Sequence, residues 1–132
     1  MSSKKNPLRR IVVDGVTYLW KVKHEHKVLP PKPPPASGAY SCREVFTAFL
    51  ESHTASPLRI RFPDGPGQNS GYPAAGVVWT SGPDGLTANL NTPRTAAALI
   101  RLALLQGWNP SQSRTPLIVD DGFFLLKELP LE

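Results

Sequence analysis

Apolar and polar positions alternate in two short runs near the start of the chain, which is the pattern of a β-hairpin. The runs are rich in β-branched and aromatic residues, and Asp14-Gly15 between them is a favoured two-residue turn sequence. A hairpin is therefore predicted over residues 10–23. Because side chains alternate between the faces of a strand, Tyr18 and Trp20 share one face, which we expect to be buried.

Helical spacing of apolar residues first occurs over residues 42–52. Ser41 and Glu44 have the spacing of a capping box, in which each side chain bonds the other residue's backbone at a helix start. The apolar positions that follow form one stripe at helical spacing. The pattern predicts a helix over 42–52 that ends before Pro57, since proline disfavours helical geometry in the residue before it.

A second helix is predicted between Thr92 and Gly107. Thr92 is a suitable N-cap, Pro93 suits the first helical position, and Gly107 stands where a left-handed residue commonly ends a helix. Trp108 then follows as the apolar residue that folds back onto the last turn.

The other periodic segments are strands. Residues 58–62 alternate between apolar and basic side chains, 76–80 with 86–90 predict a second hairpin, and 117–119 with 123–126 predict a third. Strands outnumber helices without regular β-α alternation. The pattern therefore predicts an α+β fold with an antiparallel or mixed sheet of about five to seven short strands and two helices on one face.

The chain length of 132 residues indicates one domain over 1–132. Its 15 prolines and 10 glycines predict much irregular connecting chain. We distinguish a basic arm over 1–9, a proline-rich segment over 29–38 and a Gly/Pro loop over 63–75. The proline-rich segment is interpreted as a stiff linker, with a docking peptide for an aromatic groove as the alternative.

The positive charge is concentrated near the start. Residues 1–32 hold eight Lys/Arg and two acidic residues, whereas 33–132 hold seven and eight, so the formal net charge of +5 divides into +6 and −1. A basic edge on a nearly neutral body indicates an acidic partner. The alternative is a solubilising tail and a solvated strand edge.

The compartment is inferred from one cysteine and from the lack of long apolar stretches. Cys42 alone excludes an internal disulfide, so the sequence favours a cytoplasmic location. No segment has the length or apolar character of a signal peptide or a membrane span, and no association with a membrane is expected.

Few residues offer chemistry. His24 and His26 would share one face of a strand and supply half of a zinc site, with His53 and Cys42 as further ligands of the right types. Cys42 in the first helical turn could also be a reactive thiol. We favour a solvated strand end for the two histidines and a buried apolar role for Cys42, and we expect no catalytic residue, metal ligand or cofactor.

Candidate partner-binding residues are the basic side chains expected to point outward. Arg94 and Arg101, seven residues apart, lie on one helix face. Each group has an ordinary solvated face as its alternative interpretation. The full set is Arg9, Arg10, Lys21, Lys23, Arg59, Arg61, Arg94 and Arg101.

Two segments, VDGVTYLWKV near the start and NTPRTAAALIRLALLQGWNP later in the chain, carry a resemblance. The chain resembles small uncharacterised bacterial proteins in which a hairpin is followed by a helix capped by Thr-Pro and ended by Gly-Trp-x-Pro. The resemblance implies a compact bacterial accessory protein and suggests a gene neighbourhood of toxin or defence genes. It transfers no functional residue.

We therefore expect a non-enzymatic protein-binding module that is immunity-like, antitoxin-like or adaptor-like, with an acidic protein as its partner. The alternative is a nucleic-acid-binding accessory protein that uses the basic N-terminal hairpin. That alternative is weakened because the aromatic rings and the lysines of the second strand face opposite ways, so that base stacking and phosphate contact would not share a surface.

Overall fold

The computed structural model describes residues 8–28, 40–63, 68–70, 76–80 and 85–128. These residues form a five-stranded mixed sheet in the order β1-β2-β3-β4-β8, a three-stranded sheet in the order β5-β6-β7, and two helices. The predicted α+β fold class is confirmed. In chain order the elements are β1 (Arg9–Val13), β2 (Val16–Val28), β3 (Tyr40–Leu50), β4 (His53–Pro63), β5 (Gln68–Ser70), β6 (Val77–Thr80), β7 (Thr87–Asn89), α1 (Pro93–Leu105), β8 (Leu117–Val119) and α2 (Phe123–Leu126).

The N-terminal hairpin is formed by β1 and β2, as predicted. The strands are antiparallel, with Val13 opposite Val16. Asp14 and Gly15 have φ angles of 51° and 83°, and a two-residue hairpin turn with positive φ at both positions matches the twist of the flanking strands. β2 continues to Val28, five residues beyond the predicted end.

The helix predicted over residues 42–52 is wrong, because this segment is the central strand β3. β3 pairs with β2 from Tyr40 to Leu50 and with β4 on its other side. Its two faces are both apolar, with Phe46 directed into the core and Val45 to the opposite face. Apolar residues on both faces imitate helical spacing, so periodicity cannot separate the two structures.

The strand predicted over residues 58–62 is confirmed within β4. Leu58, Ile60 and Phe62 are fully buried, and Arg59 between them is exposed. The alternation therefore marks a strand with one face in the core and the other in solvent.

The third predicted hairpin is wrong. β8 pairs in parallel with β4, and residues 123–126 form the short helix α2. The backbone N–H of Gly122 donates to the carbonyl of Arg61 at 2.7 Å, and Asp121 accepts from the N–H of Phe123 at 3.0 Å. These bonds turn the chain into a helix, whose first residue Phe123 packs against Phe62 at a ring distance of 5.4 Å.

Strands β6 and β7 pair antiparallel, as predicted for the second hairpin. The described part of the predicted loop over 63–75 includes strand β5, which pairs with β6, so this segment is not wholly irregular. The proline-rich segment 29–38 and the arm 1–9, apart from Leu8 and Arg9, lie outside the described residues.

Helix α1 begins and ends as predicted. Thr92 caps its start by accepting from the N–H of Thr95, and Pro93 follows as the first helical residue. At its end the N–H of Trp108 donates to the carbonyl of Ala103 at 2.9 Å, and Gly107 has a φ of 106°, which is the Schellman arrangement. α1 has 13 residues, and no helix in the described parts of the chain is long and apolar enough to cross a membrane.

The core lies on one side of the five-stranded sheet, here called the inner face. Trp108 bridges the sheet and the end of α1, because its ring packs on Tyr18 and its indole N–H donates to the carbonyl of Ser56 at 3.0 Å. Both helices and the three-stranded sheet supply side chains to this core. Its fully buried apolar side chains include Trp20, Phe46, Leu58, Ile60, Phe62, Val78, Leu90, Leu99 and Ile100.

Candidate functional site

The opposite side of strands β2, β3 and β4, here called the outer face, carries a groove of about 520 Å³. Side chains alternate across a strand, so burial of the even-numbered residues of these strands in the core directs the odd-numbered ones outward over most of the groove. Most of the groove's polar lining is cationic. Its lining residues are Lys21, Lys23, Glu25, Arg43, Val45, Thr47, Phe49, Thr54, Pro57, Arg59 and Arg61.

The strand register places four of the cations in two parallel rows across the groove. Lys21 and Arg59 flank Thr47 in one row. Lys23 and Arg61 flank Val45 in the next row. The two walls of the groove are therefore cationic, with Lys21 and Lys23 on β2 and the two arginines on β4.

The floor of the groove is provided by β3. Val45 and Thr47 are only 6% and 8% exposed, although they lie on the outer face. The long side chains of the neighbouring strands therefore stand above them, since Lys and Arg cover apolar surface with their methylene chains and keep their charges in water. At one end of the floor lies Phe49, which is partly buried and faces Leu19 of β2.

The charges of the groove are only partly compensated. Arg43 pairs with Glu25 at 2.8 Å, and Arg61 pairs with Asp120 at 2.8 Å. In the described part of the chain, five cations and one carboxylate line the groove, which gives these residues a formal net charge of +4. Among the described residues, no ion pair involves Lys21, Lys23 or Arg59.

The other four predicted site residues do not join this groove. Arg9 lies over the ring of Trp20 at 4.8 Å and donates to the carbonyl of Asn91 at 2.6 Å, so it fastens the edge strand β1 to the core. Arg10 forms an exposed ion pair with Glu51 at 2.5 Å. Both arginines of β1 thus have structural contacts of their own.

Arg94 and Arg101 lie exposed on α1, away from the outer face. Arg101 is 3.4 Å from a carboxylate oxygen of Asp14 in the β1–β2 turn. The structure therefore brings Lys21, Lys23, Arg59 and Arg61 together and leaves the remaining predicted residues in separate places.

Sequence reasoning missed Arg43 and Phe49 as groove residues. Both lie in the segment predicted as a helix, where Phe49 was part of the apolar stripe and Arg43 lay in the first turn. Counting the segment as a strand with period two would have placed them on the same face as Val45 and Thr47. The segment is a strand because it pairs with β2 and β4, and the local sequence pattern gives no information about this pairing.

His24 was predicted at a solvated strand end, and this prediction is wrong. Its side chain lies on the inner face, 7% exposed, where Nδ1 shares a hydrogen bond with Oε2 of Glu44. Glu44 is 1% exposed. Burial of a histidine and a carboxylate is tolerated when the two groups are paired. Glu44 therefore pairs with His24 in the sheet and does not form the helix cap that the sequence pattern predicts.

The remaining histidines and the cysteine form no centre that the structure describes. His53 shares a hydrogen bond with the carbonyl of Ser113 at 3.0 Å, which ties β4 to the chain before β8. Cys42 falls in β3, so the argument for a thiolate in the first turn of a helix no longer applies. The side chains of Cys42 and His26 lie outside the described set. Within that set, no three His, Cys, Asp or Glu side chains are grouped to hold a metal ion.

Comparison with known proteins gives no relative from which a role could be transferred. No family model matches the chain, and no curated protein or solved structure is detectably similar to it.

Proposed function

We propose that the protein is a non-enzymatic binding module that holds an acidic protein partner on the outer face of its five-stranded sheet. The observation that carries the proposal is that Lys21, Lys23 and Arg59 surround one groove without an ion-pair partner in the described chain. Like charges on the two walls of the groove repel each other, and a concave cationic surface attracts anions more strongly than scattered charges do. Binding of an acidic partner relieves that repulsion.

An accessory role of the immunity, antitoxin or adaptor kind, in a bacterial cytoplasm, belongs to the same proposal. Such a protein acts by covering or joining partners, which requires a shaped and charged surface. The groove of about 520 Å³ supplies the surface. The single cysteine of the chain supports a reducing compartment.

One observation favours nucleic acid as a second candidate partner. Phe49 shares the outer face with the cations, so an aromatic ring and basic groups do meet on one surface. This ring belongs to β3, whereas only the rings of β2 were considered from the sequence. Single-stranded nucleic acid is commonly held by several rings that stack successive bases. Among the described residues of the groove lining, Phe49 is the one aromatic ring, which makes an acidic protein the better fit.

The test is affinity capture from the native host with tagged protein and a charge-reversed variant. The groove variant carries Lys21→Glu, Lys23→Glu and Arg59→Glu. We expect wild-type protein to retain an acidic protein that the groove variant loses. Treatment of the lysate with nuclease leaves the capture unchanged.

The matched control variant carries Arg94→Glu, Arg101→Glu and Arg114→Glu, all at exposed positions. Both variants change the formal charge by the same amount, so a difference between them reports position and not net charge. Circular dichroism verifies that both are folded. Equal loss of the partner in both variants, or loss of capture after nuclease treatment, would contradict the proposal.

A further inference from the structure

Four of the five cations described in the groove, two on β2 and two on β4, lie at the corners of a rectangle set by sheet geometry. Lys21 and Lys23 are two residues apart on β2, which places their Cα atoms about 6.7 Å apart along the strand. Arg59 and Arg61 have the same spacing on β4. Because β3 lies between the two walls, they are separated by two strand spacings, or about 10 Å.

These dimensions indicate whether the partner segment in the groove is helical or extended. An α-helix with its side chains is about 10–12 Å across, so it would rest on the walls without reaching the floor. An extended segment is narrower and can lie along β3. Its successive side chains point in opposite directions, and every second one returns to the same side after about 6.7 Å.

An extended segment lying in the groove therefore directs consecutive side chains to alternate walls. Carboxylates at successive positions meet Lys21, Arg59, Lys23 and Arg61 in turn, because the register places these cations in two facing pairs. The spacing of carboxylates on one side of the segment then equals the spacing of cations on one wall. The apolar part of the floor, Val45, covers the backbone of the segment from one side.

We propose that the groove binds an extended tract of about four successive acidic residues in the partner protein. Runs of like charge are typically disordered and often act as interaction tails, so such a tract is available in extended form. This inference rests on the proposed function and specifies the partner chemistry. Single-stranded nucleic acid is the competing ligand that the experiment must exclude.

The test uses two fluorescent peptides of identical composition, about twelve residues long, with about four glutamates among glycine, serine and threonine. In the clustered peptide the glutamates are consecutive, and in the dispersed peptide neutral residues separate them. Fluorescence anisotropy at low ionic strength measures the dissociation constant for full-length protein. We expect the clustered peptide to bind about ten-fold more tightly, because only it places all its carboxylates within the rectangle.

The groove variant should lose the preference for the clustered peptide, and the control variant should keep it. Equal binding of the two peptides, or tighter binding of an oligothymidine of matched charge, would overturn the inference. The outcomes also separate the two proposals. If capture retains an acidic protein through the groove while both peptides bind equally, the proposed function stands and the acidic tract fails; if groove-dependent capture is also absent, both fail.

Discussion

Between β2 and β3, the imidazole of His24 and the carboxylate of Glu44 share a hydrogen bond inside the core. The exposed pair of Arg10 and Glu51 connects β1 to the end of β3 and has the opposite environment. In water an ion pair adds little stability, whereas a buried group that loses its partner retains its desolvation cost. The two pairs therefore predict very different effects of removing a carboxylate.

We expect Glu44→Leu to lower the free energy of unfolding by about 1–3 kcal/mol, because it removes a buried hydrogen-bond partner of the His24 imidazole. The double change His24→Leu with Glu44→Leu should recover much of that loss, since two apolar groups can replace a buried pair. Chemical denaturation measures both effects. Glu51→Ala in the exposed pair is the control and should cost less than about 1 kcal/mol. A similar cost for Glu44→Leu would contradict the account.

Tyr18 gives a prediction about alkaline pH. Burial, with a smaller contribution from the charge of Asp14, raises the pKa of its phenol above the ordinary value of 10.0. The folded protein therefore keeps this proton at pH values where the unfolded chain releases it. The resulting stabilisation is complete below pH 10 and is lost as the pH rises through the raised pKa.

We therefore expect the stability of wild-type protein to fall more steeply above pH 10 than that of Tyr18→Phe. The comparison between the two proteins removes the contribution of lysines, which titrate in the same range. Denaturation at several alkaline pH values gives the two slopes. Parallel slopes would show that Tyr18 ionises as freely in the folded state as in the unfolded chain.

At the scale of elements, local chemistry predicted those structures whose signals lie in a few adjacent residues. The Asp14-Gly15 turn and the ends of α1 at Thr92 and Gly107 are of this kind, and all are confirmed. β3 could not be predicted in this way, because its structure depends on pairing with β2 and β4. A central strand that is apolar on both faces has no alternation to distinguish it from a helix.

The third predicted hairpin is wrong for a related reason. Residues 117–119 and 123–126 are apolar runs around a turn sequence, which is a hairpin pattern, yet β8 pairs with β4, far away in the sequence. Gly122 allows this arrangement, because it lies directly against Ile60 and Phe62. The close approach of Gly122 to β4 depends on residues that are distant in the sequence, so no local pattern could predict it.

We expect Gly122→Ala to reduce stability by about 1–3 kcal/mol. A Cβ atom at this position would lie 2.5 Å from a methyl carbon of Ile60 and 2.7 Å from the ring of Phe62, so β4 and the start of α2 must move apart. Thermal or chemical denaturation measures the loss. Lys127→Ala, at an exposed position after α2, is the control and should change stability by less than about 0.5 kcal/mol. An equally small effect of Gly122→Ala would refute the close packing.

At the scale of the whole molecule, the groove is a product of strand order. The sequence alone identified Lys21, Lys23, Arg59 and Arg61 as outward basic residues, but it could not bring β2 and β4 to the two sides of β3. The same strand order separates them from Arg94 and Arg101, which have the same charge in a different place. The net charge of the chain therefore does not indicate where an acidic partner binds, whereas the positions of the basic side chains in the fold do.

The measurement that tests the groove most directly is a map of backbone amide chemical shifts during titration of full-length protein with the clustered acidic peptide. We predict shift changes concentrated in β2, β3 and β4 around Lys21, Lys23, Thr47 and Arg59, with α1 unchanged. Adding salt should reverse the changes, because exposed charges are screened. Shift changes centred on α1, or none around the groove at peptide concentrations that saturate binding, would contradict the account.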